Sequence, residues 1–159
     1  MSAPELISRL MVARNAAHMA HLQTTSFAQH KALDDFYTAV VDLIDSFAET
    51  YQGIHGLIKN YPVCATPTGN PVVWLQALRG WMKGCRETSC TNEPELLNIH
   101  DEIMALVSQT LYKLRFLDSG EGAEDEAEEA LPALPASKNE TRKQTAEKPD
   151  GFMSMAKWG

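Results

Sequence analysis

Apolar residues recur at intervals of three and four along most of the first 117 positions, the spacing that collects them on one side of an α-helix. Leu6, Leu10, Ala13, Ala17 and Ala20 form one stripe and predict a first helix over about residues 4–22. Pro4 suits its first turn, and Glu5 complements the positive end of the helix dipole. Phe27, Leu33, Phe36, Tyr37, Val40, Val41, Ile44 and Phe47 form a second stripe, predicting a helix from a Ser26 cap to about residue 51 or slightly beyond Gly53. Pro62, Pro67 and Gly69, with Pro71 directly after them, stop any helix over about residues 60–70. A third helix fits about 71–87, opening on Asn70 as cap and Pro71 in its first position, with Trp74, Leu75, Leu78, Trp81 and Met82 inward. Gly80 and Gly84 weaken it, because glycine is a poor helix former. The fourth is predicted from Thr91 or Asn92 to about 117, with Leu96, Ile99, Ile103, Leu106, Val107, Leu111, Leu114 and Leu117 as its apolar face. No alternating strand pattern competes. The expected fold is all-α, a four-helix bundle in which the proline-bearing segment is one long crossover.

Composition changes that picture only after residue 117. Residues 118–150 are acidic, proline-bearing and polar, too poor in apolar surface to offset chain entropy, and are expected to be a disordered linker. Residues 151–159 concentrate Phe152, Met153, Met155 and Trp158, the make-up of a docking peptide on a tether for an unknown protein partner, or of an arm folding back on its own oligomer. The bundle is therefore expected over 1–117.

The net charge is −7, of which residues 118–159 carry −5 (ten acidic, five basic) and residues 1–117 carry −2 (eleven acidic, nine basic). A nearly neutral core with an acidic tail lacks the cationic footprint that phosphate binding needs, so a nucleic-acid partner is not expected. Neither a secretory signal nor an apolar run long enough for a membrane span is evident, which places the expected site of action in the cytoplasm, or in a host cytoplasm or virion for a viral protein. Cys64, Cys85 and Cys90 form no CxxC pair and read as reduced thiols.

The candidate chemistry lies in the first fifty residues, in His18, His30, Asp34, Asp45 and Glu49. His30 and Asp34 are one helical turn apart, as are Asp45 and Glu49 further along the same helix. Fifteen residues separate His30 from Asp45, which on a helix is roughly 22 Å. One chain then holds two half-sites. A metal meets both only if a second copy lies antiparallel across a two-fold axis, with His18 and His30 of one subunit beside Asp45 and Glu49 of the other.

Phe27-Ala28-Gln29-His30, then Phe36-Tyr37, Asp45 and Ala48-Glu49, together with the spacing from His18 onward, resemble the core of the Dps proteins, the ferritin-like mini-ferritins. The family's usual tryptophan after the first histidine is Met19 here, and its glycine-containing turn is replaced by Gln23-Thr24-Thr25-Ser26. The resemblance implies a ferritin-like bundle, a homo-oligomer with two-fold antiparallel dimer contacts extending to a dodecameric shell, and a ferroxidase centre shared between subunits. By that resemblance His18, His30, Asp45 and Glu49 are the catalytic ligands, and Asp34 is an additional ligand or orients His30 from behind. Glu49 would bridge two metals, with Asp45 and His30 on one and His18 on the other.

Mixed imidazole and carboxylate donors suit iron (Fe2+/Fe3+), with zinc as the competing occupant. The implied activity is oxidation of Fe(II) by peroxide or oxygen, followed by iron storage. The other expectation is a non-catalytic ferritin-like assembly or adaptor protein, viral in one version, that engages a partner through its C-terminal peptide. His21, His55 and His100 match no ligand position, and Trp74 and Trp81 read as packing residues.

Overall fold

The computed structural model describes residues 2–117. The acidic linker and the C-terminal peptide anticipated at 118–150 and 151–159 lie outside the described residues. Within them the secondary structure is helical and without strands: α1 (Ala3–Gln23), α2 (Phe27–His55), α3 (Pro71–Cys90) and α4 (Pro94–Phe116). Two predicted caps close the helix starts as expected. Ser26 Oγ accepts from the amide of Gln29, and Asn70 Oδ1 accepts from the amide of Val72.

Helix α2 runs through Gly53 to His55, because interior hydrogen bonds and packing outweigh the modest cost of one glycine. Helix α3 likewise passes Gly80 and Gly84 and extends to Cys90, beyond the expected end. The start of α4 differs from expectation. Thr91 and Asn92 do not cap it; both adopt left-handed backbone, with φ of 51° and 60°, and reverse the chain. Thr91 is held there by its hydroxyl, which donates to the Cys90 carbonyl at 2.7 Å and accepts from His55 Nε2 at 2.9 Å. Helical geometry resumes only at Pro94, whose missing N–H costs nothing in a first turn.

Around the bundle, α1 packs on α2, α2 on α4, α4 on α3 and α3 on α1, so α2 and α3 occupy opposite corners. Lys113 meets Asp35 and Thr91 meets His55, which makes α4 antiparallel to α2 and α3 parallel to it. Residues 56–70 must therefore return the length of the bundle, roughly 30 Å for a twenty-residue helix, and they do so without regular secondary structure. They pass over α1: Tyr61, Pro62, Val63 and Cys64 lie beside Ile7, Met11 and Val12, and Ala65 and Pro67 continue to Trp74 and Leu78. This covering explains why α1 buries more of its circumference than its stripe predicts. Ile7, Ser8, Arg9 and Ala16 join Leu6, Leu10, Ala13 and Ala17 inside.

Arg9 is tolerated there because Glu5 Oε1 accepts from its Nε at 3.1 Å and its Nη2 at 3.0 Å, and its guanidinium lies 4.6 Å from the Trp81 ring centre. The core itself is Leu6, Leu10, Leu33, Phe36, Val40, Ile44 and Phe47 from the first pair against Leu75, Met82, Leu96 and Ile103 from the second, all fully buried. No described helix is long and apolar enough to cross a membrane.

Candidate functional site

The short turn after Gln23 folds α2 back on α1, so the last turns of one lie against the first turns of the other. His21 and His30 meet there in a reciprocal clasp. Nδ1 of His21 lies 2.9 Å from the His30 carbonyl oxygen, Nδ1 of His30 lies 3.1 Å from the His21 carbonyl oxygen, and the rings stack at 3.7 Å. A carbonyl oxygen can only accept, so both Nδ1 atoms carry protons, and in the neutral ring Nε2 is left with the free lone pair. That is the tautomer a metal-ligating histidine uses.

His18 extends the cluster. Its ring stacks on Tyr37 at 4.2 Å and lies 6.0 Å from the His21 ring, while Tyr37 meets His21 edge-on at 5.2 Å. Asp34 sits at the rim, accepting from Lys31 Nζ at 2.9 Å and from the Tyr37 phenol. The Lys31 hydrogen bond, then that of Tyr37, holds the Asp34 carboxyl below the usual carboxylate range. The carboxylate in turn raises the Tyr37 phenol. The Nδ1 of His30 is taken by the backbone of His21, and Asp34 instead anchors Tyr37, against which His18 rests.

Asp45 and Glu49 are four turns away on α2, exposed, at the mouth of a cavity of about 630 Å³. Ile7, Met11 and Val12 of α1 and Tyr61, Val63 and Cys64 of the crossover form its apolar walls. Neither carboxylate makes a hydrogen bond or ion pair among the described residues. Burial raises the Cys64 thiol, so it stays protonated beside them. The five predicted residues thus fall into an imidazole end holding His18, His30 and Asp34 and a carboxylate end holding Asp45 and Glu49. Among the described residues of one chain no group of three or more His, Cys, Asp or Glu side chains is placed to hold a metal ion.

His21 is the residue that periodicity could not find. Its partner stands nine positions on, across a turn, and helical spacing carries no signal for that pairing. A second surprise lies in the other helix pair. His100 is fully buried with no hydrogen bond to either ring nitrogen among the described residues, Asp101 Oδ1 being 3.7 Å from Nδ1. Burial lowers its pKa and keeps the ring neutral. All three cysteines are free thiols, and desolvation pushes Cys90 up to about 12.

Fold and site together define an all-α bundle with one crossover and a divided set of imidazole and carboxylate donors on the α1/α2 face. The chain belongs to a family of unknown function, DUF5856, whose model matches residues 21–114, from His21 through α4. His30, Asp34, Asp45 and Glu49 lie inside that match and His18 just outside it. The chain is also similar to the uncharacterized 14.6 kDa protein in the mobD-ri intergenic region of Enterobacteria phage T4, with 44% identity over 54 residues. That match covers 34% of this chain and 42% of the relative's length. No solved structure matches.

Proposed function

We propose that the protein is a Dps-like, ferritin-type iron oxidase whose site is completed by a second copy of the chain. The observation that carries this reading is the division of donors. One end of the α1/α2 face presents His18 and, with its Nδ1 proton tied to the His21 carbonyl, His30, and the other presents two carboxylates with no partner among the described residues. An antiparallel two-fold brings His18 and His30 of one subunit to Asp45 and Glu49 of the next. The connectivity, with its single long crossover, is also that of ferritin-like bundles. Iron(II) is the substrate, giving up an electron to peroxide or oxygen and passing on as Fe(III) for storage in a closed shell; zinc is the competing occupant. The chain's own residues hold the donors in place. His21 fixes the tautomer and plane of His30, Tyr37 backs His18, and Asp34 anchors Tyr37.

Aerobic Fe(II) added to the purified protein should give ferric absorbance faster than buffer alone, and His30→Ala and Glu49→Ala should each abolish the acceleration. Mixing the two variants should restore about a quarter of the rate, because half of randomly paired dimers regain one intact shared site. No acceleration in the intact protein would sink the reading, and failure to complement would remove the shared site.

A second reading, a non-catalytic assembly or adaptor protein that captures a partner through residues 151–159, is favoured by similarity to a phage protein and by the exposed Leu22 and Phe27 at the α1/α2 turn. Removing those nine residues should abolish partner capture while Fe(II) oxidation is absent throughout.

A further inference from the structure

The surface formed by α3 and α4, away from the donor-bearing face, carries an open groove of about 560 Å³ lined by Arg79, Gly80, Leu111, Tyr112, Arg115 and Phe116. It is apolar where exposure is usually avoided: Tyr112 and Phe116 are 55% and 66% exposed, with their rings 5.8 Å apart. It is also cationic. Arg9, Lys31, Arg86 and Lys113 each pair with a carboxylate. Arg79 and Arg115 have no carboxylate partner among the described residues. Arg79 spends only its Nε, on Ser108 Oγ at 2.8 Å, and Arg115 lies 5.1 Å from the Phe116 ring centre.

What would cover this groove is indicated by where the chain leaves it. Phe116 is both the last residue of α4 and part of the groove wall. The next thirteen residues, 118–130, contain seven carboxylates, at 118, 121, 124, 125, 126, 128 and 129, and no cation. Ser119-Gly120 directly after the helix is turn-forming sequence. Arg115 and Ser108, the latter holding Arg79, are seven residues apart on α4, roughly 10 Å, a distance that three or four extended residues cover. A chain reversing at residues 119–120 would therefore carry Glu121 and Glu124 to the two guanidiniums. Tethering raises the local concentration of the segment at the groove to the millimolar range, so weak charge-assisted contacts suffice.

We propose that the α3/α4 groove is the docking site for residues 118–130 of the same chain, held by Arg79 and Arg115. This contact supplies Arg79 and Arg115 with carboxylate partners and keeps the acidic segment from acting as an open polyanion. It does not depend on whether the α1/α2 face binds iron.

Hydrogen exchange on the full-length protein tests it. At low ionic strength the amides of 118–130 should exchange on the order of tenfold more slowly than an unstructured peptide of that sequence, and the protection should vanish in about 0.5 M salt. Arg79→Glu with Arg115→Glu should remove it at low salt. Gly80→Trp provides an uncharged check. A Cβ at Gly80 meets nothing within 4 Å, so a side chain can be attached there, and an indole occupying the groove should also release the segment. Unprotected amides in the wild-type protein, or protection indifferent to both variants, would overturn the proposal. Protection that rises with protein concentration would also overturn it, by assigning the groove to the segment of a second copy.

Discussion

At the start of α2, His21 and His30 have each Nδ1 bonded to the other's backbone and their rings stacked, whereas four turns along the same helix Asp45 and Glu49 stand exposed with no partner among the described residues. Each end has a fully buried phenylalanine near it along α2, Phe36 by the first and Phe47 by the second. The difference is therefore not in the scaffold but in what the polar groups are joined to. A histidine with one nitrogen satisfied internally is oriented and keeps one lone pair to give. A carboxylate left in water keeps all of its acceptor capacity. The imidazole end is tied internally, and the carboxylate end is not, among the described residues.

The comparison breaks most severely at its foundations. Phe36→Ala and Phe47→Ala should each lower stability by about 3–5 kcal/mol in urea unfolding, with Phe36→Ala also releasing the imidazole stack and Phe47→Ala leaving it intact by histidine NMR shifts. Equal loss of the stack in both variants would mean that the two ends are not separate.

The two ends should then part company. His21→Ala should cost about 1–3 kcal/mol, since it removes a buried ring and leaves the His30 carbonyl without its imidazole donor, while His30 Nδ1 keeps the backbone carbonyl of residue 21. Glu49→Ala should stay within about 0.5 kcal/mol of wild type, as for an exposed group without contacts. A large cost at Glu49 would show that the carboxylate end is built after all.

His100 sharpens the contrast from the other helix pair, being a histidine that is buried without bonds. Its pKa is lowered by burial, so the unfolded chain takes up a proton below the ordinary value of 6.5 while the folded chain does not. Stability is thus present above pH 6.5 and is lost as pH falls from there through the lowered value. His100→Met, similar in volume and without polar atoms, should gain about 1 kcal/mol near neutrality and flatten that acid loss in thermal melts across pH 5–8. An unchanged acid limb would place the loss elsewhere.

Much of the fold was legible along the chain. The stripes of α1, α2, α3 and α4, the caps at Ser26 and Asn70 and the proline-marked crossover are local properties, set by spacing and by side chains that bond their own backbone within three residues. Where expectation failed, the cause was non-local. The start of α4 moved to Pro94 because Thr91 and Asn92 are held left-handed, Thr91 with a bond from His55 36 residues away. Helix α1 buried Ser8 and Arg9 because the crossover passes over it. The candidate site divides in the same manner.

From the sequence alone came the helical periods, the residue types of the donors and the distance between His30 and Asp45, because a helix converts residue number into length at a fixed rate. Only the tertiary structure decided which groups were left free. The α1/α2 turn brought His21 onto His30 and closed both Nδ1 atoms, burial stranded His100 in the neutral form, and the packing of α3 on α4 opened a groove with two guanidiniums that have no carboxylate partner among the described residues. Hydrogen bonding and desolvation depend on what lies across space, and spacing along one chain does not record that.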